Sequence, residues 1–154
     1  MSNRALSPVV ATVLLIVVTL VLAGTVGTVA LESATLREPT QVAVDVSADA
    51  DADRLTFVHR AGDPLSVDGL AVRVSVNGTP LERQPPIPFF SAAGFRPGPT
   101  GPFNSATNSS WSVGETASVE LAGTNAPLFE PGDTVVVRIS ADGVLVVGVE
   151  TIAR

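Results

Sequence analysis

The stretch RALSPVVATVLLIVVTLVLAGTVGTVALE carries no ionisable side chain between Arg4 and Glu32. The uncharged run from Leu6 to Leu31 is 26 residues long, and as a helix at about 1.5 Å per residue it reaches roughly 39 Å. A bilayer's hydrocarbon core is about 30 Å thick, so the segment can span it. It is apolar all round and so cannot be the surface helix of a soluble domain. Such a helix must lie in lipid or among other apolar helices.

Of the 154 residues, those beyond this segment leave room for one further domain of about 115 residues, enough to bury a core. There is no Cys, which excludes a disulfide framework, a thiolate nucleophile and a Cys-based metal site. All nine basic residues are Arg, against fifteen Asp and Glu. A net charge of −6 argues against nucleic acid or an anionic membrane surface as partner. The acidic, Lys-free composition resembles that of proteins from extreme halophiles; a GC-rich genome replacing Lys with Arg is the blander reading, and the acidic excess favours the halophile.

Three readings of the amino terminus compete. A secretory signal peptide needs a basic head, an apolar stretch of about 7–15 residues and a small-x-small cleavage site. Arg4 and Thr28-Val29-Ala30 supply the ends, but the apolar run is about twice too long. A single-pass anchor fits the length, with Arg4 held on the cytoplasmic side. Neither accounts for Ser7 and Pro8, a favoured N-cap followed by a favoured first helical residue, which predict a helix starting at Pro8.

Arg4-Ala5-Leu6-Ser7 resembles the recognition site of an archaeal prepilin peptidase: a charged residue, a small one, the cut, then a hydrophobic one. The following SPVVATVLLIVVTLVLAGTVG resembles the amino-terminal segment of haloarchaeal type IV pilins. The resemblance covers about the first thirty residues. It implies removal of Met1 to Ala5 as a leader, with the hydrophobic helix kept in a mature chain of residues 6–154. Bacterial type IV pilins usually carry Glu as the fifth mature residue, whereas Val10 stands there, as in the archaeal branch. A carboxylate at the helix centre costs about 2.5–3.5 kcal/mol in a membrane. Without one, the helix can pass between lipid and a protein bundle. Ala23 and Gly27, and Gly24 and Thr28, form two small-xxx-small pairs that allow close helix packing; Gly and Ala are also simply common in spanning helices. A polar continuation from Glu32 to Glu38 ends at Pro39.

Beyond Pro39 the hydrophobic period becomes two. Val42, Val44 and Val46 alternate with Ala43 and Asp45, Leu55 and Phe57 flank Thr56, and Val72, Val74 and Val76 alternate with Arg73, Ser75 and Asn77. Further strands are expected at 116–121, 134–140 and 144–151, the last in mid-sheet because Val144 to Val147 are apolar on both faces. Asn77-Gly78, Pro131-Gly132-Asp133 and Ala141-Asp142-Gly143 are turn signals. The predicted fold class is α+β: a long hydrophobic helix over 6–38, then an antiparallel β-sandwich over 39–154, with an immunoglobulin-like arrangement as one form it can take.

Residues 84–114 break the pattern with six Pro and no periodicity, far longer than usual loops of roughly 4–6 residues. They hold four of the six Phe (Phe89, Phe90, Phe95, Phe103) and the only Trp, Trp111. These aromatics either fold back to cap the sandwich or form a surface contact for a neighbouring subunit.

Evidence for catalytic chemistry is thin. Asp49, Asp51 and Asp53 have the spacing that opens a calcium loop, but Arg54 stands at its turn glycine and Arg60 at its bidentate Glu. A charged hairpin tip is the better reading. His59, the only His, has no nucleophile motif around it and is expected at a strand end. No metal site, cofactor or active site is predicted. Asn77-Gly78-Thr79 and Asn108-Ser109-Ser110 are N-glycosylation sequons in expected turn or loop.

The resemblance implies a non-enzymatic structural subunit of an archaeal type IV pilus-like surface filament, serving adhesion. Its partners are then prepilin peptidase, the pilus assembly machinery and other pilin subunits, and its helix lies in the membrane before assembly. The alternative is a membrane-anchored extracellular binding module, or a minor pilin outside the bulk filament. A secreted enzyme behind a signal peptide is the third reading.

Overall fold

A run of uncharged residues with no proline after Pro8 propagates as one helix, and α1 spans Leu6–Ser33. The computed structural model describes residues 6–33 and 40–154. Arg4, Ala5 and the continuation from residue 34 through Pro39 lie outside the described residues. The helix starts at Leu6, not at Pro8, so Ser7 is a helical residue and not the N-cap. Pro8 is tolerated there because the first four N–H groups of a helix have no intrahelical partner to lose.

The chain divides into two compact units, 1–39 and 40–154. The second is built of antiparallel strands: β1 (Val42–Asp49), β2 (Arg54–Gly62), β3 (Leu65–Ser66), β4 (Leu70–Val76), β5 (Thr79–Pro80), β6 (Ser110–Trp111), β7 (Thr116–Glu120), β8 (Thr134–Ala141) and β9 (Val144–Ile152). One sheet has the order β1-β2-β7 and the other β5-β4-β8-β9, with a small β3-β6 ribbon beside them. The connection after β2 crosses to the second sheet, β7 returns beside β2, and β8 returns beside β4. In immunoglobulin-like lettering the sheets read A-B-E and C′-C-F-G.

Each long strand buries alternate residues, and the inward rows of the two sheets meet. Val44, Val46, Leu55, Phe57 and Val119 from one side pack with Val72, Val74, Val135, Val137 and Ile139 from the other. At the open seam, Arg154 donates its N–H to Ala48 and accepts one from Ala50, so the chain end fastens to β1. The two tightest hairpins need left-handed backbone at both central positions. Asn77-Gly78 has φ of 49° and 80°, and Asp142-Gly143 has 49° and 82°. Gly and Asn or Asp reach that region most readily, and the resulting turn matches the strands' twist.

β9 departs from expectation. It pairs only with β8 and forms the edge of its sheet, with Val144, Leu145 and Ile152 exposed. Apolar residues on both faces do not place it centrally, because its outward side has no layer over it in this unit.

The 84–114 segment also departs from a free excursion. Arg96 and Thr100 donate backbone N–H groups to the carbonyls of Glu120 and Ser118, and Gly94 accepts from Ala122. The segment thus closes the free edge of β7, which is how an otherwise open sheet edge is protected. At Gly101 it runs so close that a Cβ would lie 2.1 Å from the Thr116 carbonyl oxygen. Its Pro residues hide this from any periodicity search, since they break the run of donors while Arg96 and Thr100 keep the ladder.

Candidate functional site

The described side chains of α1, from Pro8 to Thr25, are all exposed within their unit, with a mean hydropathy of 2.5. By length and composition this helix can cross a membrane. Its few hydroxyls are internally satisfied. Thr12 donates to the Val9 carbonyl at 2.8 Å, Thr19 to Leu15 at 2.7 Å and Thr25 to Leu22 at 2.9 Å. From Val10 to Thr25 the backbone N–H groups are paired by the helix itself, so this stretch presents no unmet N–H or hydroxyl. Ala23 and Gly24 are on its exposed surface, and a Cβ at Gly24 would meet nothing within 4 Å. Gly27 and Thr28 are helical, but their side chains lie outside the described residues, as do those of Leu6 and Ser7.

The surface-contact reading of the aromatics is corrected for four of the five. Phe89, Phe95, Phe103 and Trp111 are buried; only Phe90 is exposed, at 59%. The Phe103 ring lies 5.1 Å from both Phe57, tilted at 58°, and Trp111, edge-on at 69°, and Phe89 lies 5.6 Å from Phe95. Trp111 satisfies its indole N–H on the Glu115 carbonyl at 3.2 Å. The β7-edge closure carries Phe95 and Phe103 inward with Phe89 beside them, and the pairing of β6 with β3 places Trp111 there, where each ring removes a large apolar area from water.

His59 is not at a strand end. It sits inside β2, fully buried, its ring 5.4 Å from Trp111. Period two from Leu55 and Phe57 puts it on the inward face, and that signal was available in the sequence. Neither ring nitrogen has a hydrogen-bond partner among the described residues. A buried polar atom left unmatched costs roughly 1–3 kcal/mol. We therefore expect His59→Phe, which keeps a ring against Trp111, to leave stability unchanged or raise it by up to about 2 kcal/mol in thermal unfolding. A clear loss of stability would mean that the nitrogens have a role the apolar ring cannot fill.

The acidic triplet forms the β1–β2 hairpin tip. Asp49 accepts the Ala52 N–H at 3.1 Å, and Asp53 accepts the Phe129 N–H at 3.0 Å. Two of the three carboxylates therefore shape turns. Among the described residues, no three His, Asp or Glu side chains gather into a group that could hold a metal ion.

The sequons differ in freedom. Asn77 is engaged on both sides of its amide, donating to Asp133 at 2.7 Å and accepting from the Thr134 N–H at 3.0 Å. Asn108 is exposed on a loop. On these grounds Asn108 is the more accessible acceptor.

Charges on the sandwich pair sparsely. Arg60 meets Asp45 at 2.6 Å; Arg54 and Arg96 share Glu120, at 2.9 and 3.7 Å. These are surface pairs, each worth about 1 kcal/mol or less. No known family model matches the chain, and no curated protein matches it.

Proposed function

We propose that the chain is a structural subunit of an archaeal type IV pilus-like surface filament. The observation that carries this reading is the rod from Pro8 to Thr25, exposed and apolar on all sides, in a compact unit separate from a β-sandwich with its own core. Water cannot be the lasting environment of such a helix. Lipid covers it before assembly, with the sandwich on the outer side. Prepilin peptidase cuts between Ala5 and Leu6, and mature helices from many copies then cover one another. Contacts of this kind, made between two different surfaces of successive copies, produce an open polymer. The internally bonded Thr hydroxyls support transfer between the two settings, since neither lipid nor a helix bundle must supply partners. The sandwich, with its own buried core and its β7 edge covered, supports display outside the bundle, where it serves adhesion.

Shearing fibres from the surface of expressing cells tests this. The expected result is that the chain is the dominant fibre protein. Fibres lacking it, or a chain found only as single copies in the membrane fraction, would favour the anchored binding module.

A further inference from the structure

The four-stranded sheet has an outward face on which two arginines stand side by side. Arg73 of β4 and Arg138 of β8 are direct cross-strand partners in the register, and both are exposed. Like charges placed directly opposite one another destabilise a sheet. Neither makes an ion pair or hydrogen bond with any described residue, although the chain has fifteen acidic residues. The one carboxylate on β4, β8 or β9 is Glu150, opposite Val136 and not paired with Arg138.

The pair borders a concave cleft of about 350 Å³ whose other walls include Ser75, Pro80, Gln84 and Val136. No carboxylate lines it. One wall is fixed by Gln84, which continues the pairing of β4 past the end of the short strand β5. Its Oε1 accepts the Val74 N–H at 2.7 Å, and its Nε2 donates to the carbonyls of Val74 and Leu81 at 2.9 and 3.1 Å. What remains free in the cleft is two guanidinium forks and the half-buried Ser75 hydroxyl, above an apolar floor. An acidic protein has here built a cleft whose only charges are positive.

We propose that this cleft binds a carboxylate-bearing saccharide. Guanidinium forks match a carboxylate's two oxygens in a bidentate way. The volume lies at the small end of ligand pockets, roughly 300–1,000 Å³, which suits a single sugar ring. Val136 and Pro80 meet the ring's C–H face, and the Ser75 hydroxyl exchanges hydrogen bonds with ring hydroxyls. The same forks match the oxygens of a bare inorganic anion, but such an anion has no C–H face to lay against Pro80 and Val136. The proposal does not depend on polymerisation, since all its residues lie in one sandwich.

Titration of the full chain in detergent micelles with glucuronate, glucose and sulfate, followed by amide shifts across 73–75 and 136–138, tests it. Saturable glucuronate binding, at least about tenfold tighter than glucose and than sulfate, is expected. Arg73→Gln with Arg138→Gln should remove it without lowering the thermal unfolding temperature, since the opposed like charges are relieved, Arg138→Lys should weaken it several-fold, and Glu150→Gln should strengthen it. Equal binding of glucose, sulfate binding as tightly as glucuronate, or undiminished binding by the double variant would each overturn the proposal. Should the double variant fold poorly, Arg138→Lys alone decides: unchanged affinity with the charge kept and the fork removed contradicts it.

Discussion

Glutamate in place of Val17 is expected to remove this chain from both membrane and fibre. Val17 lies near the middle of α1, where its described neighbours along the rod are uncharged and exposed. A carboxylate there costs about 2.5–3.5 kcal/mol in lipid, or roughly 60–300-fold in the insertion equilibrium at about 1.4 kcal/mol per decade. Inside a bundle of the same helices the cost recurs in every copy, because no basic side chain occurs from Leu6 to Leu31 to pair with it. Val17→Leu is the matched control and should behave as the native chain. The readouts are the membrane-pelleted fraction and the yield of sheared fibre. Native levels of both for Val17→Glu would mean that the middle of the rod faces water or a polar partner.

The second large effect is expected at Trp111. Its ring is fully buried between His59 and Phe103, and its indole N–H is satisfied. Removing an aromatic ring from such a site costs about 3–5 kcal/mol through lost burial and the cavity left behind. For a domain near this size each kcal/mol lowers Tm by about 4 °C, so Trp111→Ala should melt roughly 12–20 °C below the native chain. Phe90→Ala, in the same segment but exposed, should change stability by no more than about 0.5 kcal/mol. The contrast tests the division of the aromatics directly. Similar small losses at both positions would return Trp111 to the surface.

What was readable in the sequence was whatever carried a period. Helical propagation through 26 uncharged residues and alternation in Val42–Val46, Leu55–Phe57 and Val72–Val76 each correspond to an observed element. Strand pairs of two residues, such as Leu65–Ser66 with Ser110–Trp111, are too short to show one. Alternation also reports which face is apolar but not whether a layer covers it, and β9 was misjudged on that account. The aromatics of 84–114 were legible as a hydrophobic mass, yet their direction depends on pairing with β7, which the prolines conceal. The Arg73–Arg138 pair was half legible: alternation turns Arg73 outward, but its neighbour follows only from the strand order β4-β8.

The account rests on the rod remaining part of the mature chain, and the intact mass of the protein recovered from surface fibres measures that most directly. A chain of residues 6–154, beginning at Leu6, is the predicted result. A mature chain beginning at Leu31, which has shed the rod, or one still carrying Met1 to Ala5, would contradict it.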